Sequence, residues 1–157
     1  MVRSARFVGN GRTSGATMHT KTERAADRAT ERDWLAVAVG ALRCASGVSF
    51  LVAPEAANRL WGDAAEVGPT ASLLLRSMGY RDALVGGLLC ASGCRGEDTT
   101  RWFLASAGAD AADLLGGLAN HGRMTPSQVQ RGIGGALVGI GVGAVGAMRA
   151  ARRARHV

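Results

Sequence analysis

Six charged side chains interrupt the longest apolar stretches of this sequence, and their types and spacing suit two kinds of chemistry. They are three arginines and three aspartates: Arg43, Arg76, Arg81, Asp82, Asp110 and Asp113. Asp110 and Asp113 are three residues apart and therefore share one face of a helix. Because two neighbouring carboxylates do not both ionise cheaply, such a pair suits a proton relay. An arginine binds a carboxylate through two parallel hydrogen bonds, so the same residues also suit buried ion pairs.

The sequence contains four apolar stretches, over residues 34–53, 71–91, 102–118 and 132–148; the first three carry these charges and the fourth has none. At about 1.5 Å per helical residue, each stretch roughly covers a hydrocarbon core of about 30 Å. Ala, Leu and Gly dominate, and the alternation typical of strands does not recur. The sequence therefore predicts an all-α fold, a four-helix transmembrane bundle over residues 34–148. A water-soluble helical bundle is the alternative.

Two local signals refine the positions of the helices. Thr125-Pro126-Ser127-Gln128 has the spacing of a capping box with proline at the first helical position, so the last helix is expected to begin before residue 132. Pro54–Trp61, followed by Gly62, is compatible with a short interfacial helix between the first two stretches.

The net charge of +7 belongs to the two ends of the chain. Residues 1–33 hold seven Lys and Arg and four acids, residues 149–157 hold four Arg and no acid, and the segment between them is neutral. With four spans, thirteen Lys and Arg lie on the side of both tails and three on the other. The positive-inside rule then places both termini in the cytoplasm, with the protein in the inner or plasma membrane.

The two tails, residues 1–33 and 149–157, suggest lipid as the partner of the basic residues. We expect residues 1–33 to be disordered, with Met18 as the natural start. No aromatic-basic stacking platform is present, so the tails are expected to contact anionic lipid headgroups rather than nucleic acid.

The buried charges must meet one another if the four stretches cross a bilayer. An unpaired charge at mid-bilayer costs about 2.5–3.5 kcal/mol. We predict that Asp110 and Asp113 accept hydrogen bonds from Arg81, Arg76 or Arg43, and that Asp82 binds the remaining guanidinium. Three positive and three negative charges favour a structural cluster that fixes helix order. The alternative is a polar cavity for a proton, an ion or a small polar ligand, which would make the protein a carrier.

Small residues indicate where helices approach closely. Five glycines of the fourth stretch are spaced by three and four and share one face: Gly132, Gly135, Gly139, Gly143 and Gly146. Their neighbour is either a helix of the same chain or a second copy, so a homo-oligomer or another membrane partner stays open. A second small and polar face runs through Gly79, Asp82, Gly86, Cys90 and Gly93.

Motifs of common enzymes are missing from the sequence. It contains no phosphate-binding loop, no hydrolase nucleophile elbow and no H-E-x-x-H, so we expect no catalytic residues, no metal and no cofactor. Cys44, Cys90 and Cys94 are odd in number and lie in apolar stretches, which favours buried free thiols over a metal or redox pair.

The segment Arg76-Ser-Met-Gly79-Tyr-Arg81-Asp82-Ala-Leu-Val-Gly86-Gly87 carries a family resemblance, together with the preceding Pro54 and Trp61-Gly62 and the following Asp110-Ala-Ala-Asp113. Over about residues 34–148 the chain resembles small uncharacterised bacterial four-helix membrane proteins, broadly like the DoxX-type group. The resemblance implies four spans and a membrane location without an established reaction. DoxX-like proteins suggest quinone or thiol redox chemistry, although this chain lacks a C-x-x-C. We therefore expect a structural or accessory membrane protein, with a carrier or a redox-linked subunit as alternatives.

Overall fold

The computed structural model describes residues 32–61 and 67–155. Within these ranges the chain is almost entirely helical and contains no strand, which confirms the predicted all-α class. Its helices are α1 (Trp34–Val52), α2 (Pro54–Trp61), α3 (Pro69–Cys94), α4 (Thr100–Asn120) and α5 (Pro126–Arg155). The prediction of a disordered tail with Met18 as its start falls on residues 1–31, outside the described residues.

Helix α5 has an irregular first part. It opens with one α-helical turn (Pro126–Gln128), continues as a π-helical turn (Val129–Ile133) and becomes regular over Gly134–Arg155. The predicted capping box is confirmed, because the Thr125 side chain accepts from the Gln128 N–H and the Gln128 side chain accepts from the Thr125 N–H. The arginines of segment 149–155 therefore lie on the last turns of this helix.

Side chains and backbone also define the ends of α1 and α3. Asp33 caps α1 by accepting a hydrogen bond from the N–H of Ala36 at 3.3 Å. Beyond Cys94 the chain leaves α3 through Gly96, whose φ of 66° is readily adopted only by glycine. The N–H of Gly96 donates to the carbonyl oxygen of Gly93 at 3.3 Å, which satisfies one of the last carbonyls of α3.

Helices α1 and α3 pack antiparallel with their backbones in contact. Gly40 lies opposite Gly86, and Gly47 lies opposite Gly79, one heptad farther along each helix. A Cβ on Gly86 would lie 2.7 Å from the carbonyl oxygen of Gly40, and a Cβ on Gly79 would lie 2.6 Å from that of Gly47. At the next heptad position, a Cβ on Gly93 would lie 2.9 Å from the Ala36 side chain. Glycine at these positions is what lets the two helices approach so closely.

Helices α4 and α5 form the second closely packed pair. The ring of Phe103 on α4 is fully buried and lies against Gly146 of α5. One turn away, a Cβ on Gly143 would lie 2.8 Å from the Cβ of Ala107. Phe103 also belongs to a small apolar cluster with Ala36, Leu89 and Ala147, and this cluster joins the two helix pairs near one end of the bundle.

Large apolar side chains lie mainly on the outside of the bundle. Those exposed on the four long helices are Trp34, Leu42, Val48, Val52, Leu73, Leu74, Tyr80, Leu84, Leu104, Leu115, Leu118, Leu137, Val138, Val142, Val145 and Met148. The buried positions are held largely by Gly, Ala, Ser and Thr. Helices α1 and α5 are long and apolar enough to cross a membrane by length and composition. The charges on α3 and α4 make those two helices less apolar.

The α1–α3 contact generates a prediction about two glycines. Gly47→Ala should lower the free energy of unfolding by about 1–3 kcal/mol, because the new methyl group would lie 2.6 Å from the carbonyl oxygen of Gly79 and force the helices apart. Gly87→Ala is the matched control, since its Cβ would meet only the sulfur of Cys44 at 3.8 Å, an ordinary contact. The measurement is thermal unfolding of the purified proteins in mild detergent. Equal midpoints for the two variants would contradict the packing described for α1 and α3.

Candidate functional site

Five of the six charged residues predicted to form a cluster lie together at mid-height of the bundle. They are Arg43 on α1, Arg81 and Asp82 on α3, and Asp110 and Asp113 on α4, and they are called the ionic layer here. Each lies well inside its helix. The helices therefore bring together residues that are up to 70 positions apart in the sequence.

Arg43 is the centre of the ionic layer. Its Nη1 and Nη2 donate to the two carboxylate oxygens of Asp110, both at 2.9 Å. Nη2 also donates to Oδ1 of Asp82 at 3.0 Å, and Nη1 to Oγ of Ser106 at 2.9 Å. The side chains of Arg43 and Asp110 are 14% and 12% exposed. One guanidinium thus binds α1 to both α3 and α4, through hydrogen bonds of the strong, charge-assisted type.

Arg81 forms the second half of the ionic layer, nearer the surface of the bundle. Its Nη1 and Nη2 donate to the two oxygens of Asp113 at 3.0 and 2.8 Å, which ties α3 to α4. Its Nε donates to Oδ1 of Asp82 at 3.2 Å, the same oxygen that accepts from Arg43. The side chains of Arg81 and Asp113 are 34% and 39% exposed. The two arginines are therefore coupled through Asp82.

Helix α5 makes room for the ionic layer at Gly139, which has no side chain. Gly139 lies against the Asp110 carboxylate, and a Cβ there would be 2.6 Å from Cγ of Asp110. The carboxylate thus occupies the space that any other residue at position 139 would fill. All four long helices therefore meet at this level.

Arg76 does not join the ionic layer. Its Nη1 donates to the carbonyl oxygen of Leu51 at 2.8 Å, and its side chain is exposed. Leu51 is in the last turn of α1, where carbonyl groups lack partners within the helix, so an arginine there completes their hydrogen bonding. The ionic layer consequently contains two arginines and three aspartates, where the sequence pattern suggested equal numbers.

The five glycines predicted to pack on one face fall into two groups. Gly139, Gly143 and Gly146 lie against α4 of the same chain. The first two positions are more open, since a Cβ on Gly132 would meet only Met124 at 3.4 Å and a Cβ on Gly135 would meet nothing within 4 Å. Along the second half of α5, the helix that packs against this glycine face is therefore α4 of the same chain.

A second set of polar contacts lies at the terminal end, defined as the end of the bundle where α1 begins and α5 ends. Asp33 donates its N–H to the carbonyl oxygen of Gly93 at 3.0 Å, and its carboxylate accepts from Thr99 at 3.2 Å. The guanidinium of Arg153 lies 3.7 Å from the same carboxylate. One aspartate therefore joins the end of α3, the start of α4 and the end of α5. Sequence reasoning missed this role, although Asp33 stands directly before the first apolar stretch, a typical capping position.

The loop between α3 and α4 adds exposed charges to the terminal end. Arg95 donates two hydrogen bonds to Glu97, at 2.6 and 3.1 Å, and these lower the pKa of Glu97 and raise the pKa of Arg95. Hydrogen bonds from the side chain and backbone of Thr100 lower the pKa of Asp98. Both acids are therefore charged at neutral pH, and the charges of Arg95 and Arg101 lie close enough to favour this state.

The cysteines do not form a metal site in the described part of the chain. No group of three or more His, Cys, Asp or Glu side chains is placed there to hold a metal ion. Cys44, Cys90 and Cys94 are free thiols; the first two are half-buried, and Cys94 is exposed. The prediction of buried thiols is wrong for Cys94, because it occupies the final position of α3, where the chain leaves the bundle.

Comparison with protein families identifies the domain. Residues 40–148 match the family described as a domain of unknown function, DUF4267. The chain belongs to this family. The matched residues include the whole ionic layer and end before the last arginines of α5. The matched family is not the DoxX-type group, so the comparison does not support that resemblance. Neither curated proteins nor solved structures give a match.

Gly139 and Gly135 offer a test of the fit between α5 and the ionic layer. Gly139→Ala should lower the free energy of unfolding by about 1–3 kcal/mol, because the methyl group would displace the carboxylate of Asp110. Gly135→Ala should leave stability unchanged or raise it slightly, since a Cβ there meets open space. The midpoint of thermal unfolding in mild detergent measures both. Tolerance of alanine at position 139 would show that α5 does not pack on the ionic layer.

Asparagine substitutions separate the buried and the half-exposed ion pairs. Asp110→Asn leaves Arg43 with one carboxylate instead of two, and breaking a buried pair typically costs about 3–5 kcal/mol. Asp113→Asn should cost clearly less, because Arg81 keeps Asp82 and the pair is more exposed. The readouts are the amount of folded protein in the membrane fraction and its thermal midpoint. An equal or reversed order of the two losses would contradict the central role of Arg43.

Proposed function

We propose that this protein is a multi-pass integral membrane protein whose helices α1, α3, α4 and α5 cross the bilayer, with a structural or accessory role. The observation that carries the proposal is the distribution of apolar side chains. Large apolar residues point outward on all four long helices, and small or polar residues hold most of the buried positions.

This distribution suits lipid and is unfavourable in water. Soluble monomers rarely expose contiguous apolar patches larger than a few hundred Å². In a bilayer, outward Leu, Val and Met side chains contact lipid tails. Helix association there depends on close backbone packing and polar contacts, which glycines and ion pairs supply. A water-soluble helical bundle would instead place these large side chains inside.

Packing links the less apolar helices to the two candidate spans. Helix α3 is in backbone contact with α1 from Gly93 to Gly79, a length of about 21 Å at about 1.5 Å per residue. If α1 crosses the membrane, α3 must lie at the same depth. Helix α4 is related to α5 in the same way, through contacts from Phe103 to Asp110. Four charges of α3 and α4, those of Arg81, Asp82, Asp110 and Asp113, are paired in the ionic layer, which lowers the cost of burying them.

The arginines support a cytoplasmic location of both termini. The terminal end holds Arg32, Arg95, Arg101, Arg149, Arg152, Arg153 and Arg155, and the opposite end holds Arg59, Arg76, Arg123 and Arg131 among the described residues. The end richer in arginine faces the cytoplasm by the positive-inside rule. Arg32 stacks over Trp34 at 5.7 Å and Arg101 over Trp102 at 5.0 Å, and these aromatic rings support a membrane boundary at the terminal end, because Trp is enriched at membrane interfaces. Anionic lipid headgroups are the proposed partners of this end.

The geometry of the ionic layer supports a structural role over transport. A carrier needs a charged group that is free to exchange its partner for a ligand. Arg43 instead donates four hydrogen bonds to acceptors of its own chain, and both oxygens of Asp110 are engaged. A redox-linked role rests on the DoxX-type resemblance alone. The proposed job of the ionic layer is therefore to hold the α1–α3 pair and the α4–α5 pair in register.

Extraction of cell membranes at alkaline pH tests this assignment. After a carbonate wash, we expect the full chain to stay in the membrane pellet together with a known integral membrane protein, because four helices are held in lipid. A peripheral protein in the same preparation serves as the control that is released. Recovery of the chain in the supernatant would refute a membrane-spanning fold.

A further inference from the structure

The ion pair between Arg81 and Asp113 is only partly covered within one copy of the chain. The two side chains are 34% and 39% exposed, whereas those of Arg43 and Asp110 are 14% and 12% exposed. The pair links α3 to α4. Leu84, three residues after Arg81 on the same face of α3, is 48% exposed.

The depth of this pair makes exposure to lipid costly in the membrane that is proposed above. Arg81 lies thirteen residues before the end of α3, and Asp113 lies thirteen residues after the start of α4. Both are therefore about 20 Å from the terminal end, near the middle of a hydrocarbon core of about 30 Å. Arginine can extend its long side chain toward a bilayer surface, but the short side chain of aspartate cannot. Arg81 binds both oxygens of Asp113 within one copy, but the exposed edge of this carboxylate still requires a polar neighbour at its own depth.

The exposed surface of Arg81 and Asp113 is complementary in charge to the same surface on a second copy of the chain. Two copies inserted in the same direction are related by a two-fold axis along the membrane normal, which keeps every residue at its own depth. Since Arg81 and Asp113 lie side by side at equal depth, such an axis next to them brings each Arg81 beside the Asp113 of the other copy. Four charges then alternate in sign, and the exposed guanidinium and carboxylate edges cover each other.

The surface next to Asp113 is shaped for close approach of another helix. Ala105, Ala112 and Gly116 are exposed, and Ala109 is half-buried; at intervals of three and four they form one narrow face beside Asp113. A Cβ on Gly116 would meet nothing within 4 Å, so this face is unoccupied in a single copy. Small residues at such intervals favour helix association in lipid.

We propose that a second copy of this chain binds to the face formed by α3 and α4 around Arg81 and Asp113, giving a two-fold symmetric dimer in the membrane. The proposal rests on the membrane-spanning fold proposed above. It places the interface on α4 and α3, and it assigns the glycines in the second half of α5 to packing within the chain.

Two copies of the full chain with different affinity tags test the interface. They are expressed together, extracted in mild detergent and captured through one tag, and the second tag is quantified. Wild-type copies should co-purify. Gly116→Leu in both copies should lower co-purification by at least about tenfold, equivalent to about 1.4 kcal/mol of association free energy. Gly141→Leu on α5, also at an open position, is the matched control and should change nothing.

Absence of co-purification for the wild type, or undiminished co-purification of Gly116→Leu, would overturn the dimer. So would a loss caused by Gly141→Leu, which would move the interface to α5. The carbonate wash of the same membranes separates the two proposals. A chain retained in the pellet that does not self-associate removes only the dimer, and a chain released from the pellet removes the membrane-spanning fold as well.

Reversal of the ion pair tests the charge complementarity directly. Arg81→Asp combined with Asp113→Arg keeps an ion pair within each copy but exchanges its two signs. Copies that carry both substitutions should associate with one another. They should associate with wild-type copies at least about tenfold less, because like charges would face each other across the axis. Equal association of the doubly substituted copies with wild-type copies and with one another would overturn the proposed interface. If the doubly substituted chain does not accumulate, Gly116→Leu and its control decide the question alone.

Discussion

The guanidinium of Arg43 binds Asp82 of α3 and Asp110 of α4 at the same time, and the arrangement of the two helix pairs depends on this contact. Each pair is closely packed internally, and at this level α3 and α4 are also joined by the ion pair between Arg81 and Asp113. In lipid, apolar side chains gain nothing by leaving the bilayer for a neighbouring helix, so directional polar contacts have more influence on helix order than in water. In the membrane-spanning fold proposed above, an unpaired charge would be expensive, so helix arrangements that separate Arg43 from its carboxylates would be strongly disfavoured.

The glycines make the ionic contacts geometrically possible. Gly40 and Gly47 bring the backbone of α1 against α3, which places Arg43 on the level of Asp82. On the other side, Gly139 leaves the space that the Asp110 carboxylate occupies. The ionic contacts between the buried charges therefore depend on the small interior residues. A larger side chain at any of these glycines would move a helix away from the guanidinium that binds it, and hydrogen bonds as short as 2.9 Å tolerate little displacement.

The sequence was most informative where a single helix determines the outcome. The apolar stretches and the prolines between them, Pro54, Pro69 and Pro126, led to the helices that the structure contains, and the capping box at Thr125 marked the start of α5. Spacing of three also placed Asp110 and Asp113 on one face of α4, where they bind Arg43 and Arg81. Sequence spacing was less informative about Arg76, since its partner is a backbone carbonyl on another helix. No charge pattern can reveal an acceptor of that kind.

The sequence by itself determined that the chain is helical, that its net positive charge lies at its two ends, and that several arginines and aspartates within apolar stretches require partners. These properties follow from composition and helical periodicity, which act within a few turns of one helix. Only the tertiary structure decided which charges meet. In the folded chain Arg43 and Arg81 bind the three aspartates of the ionic layer and Arg76 does not. Asp33 contacts the ends of three helices, and Arg81 and Asp113 stay partly exposed. These outcomes depend on the rotation and depth of each helix against its neighbours, which are set by the glycine contacts between helices and not by the residues around each charge.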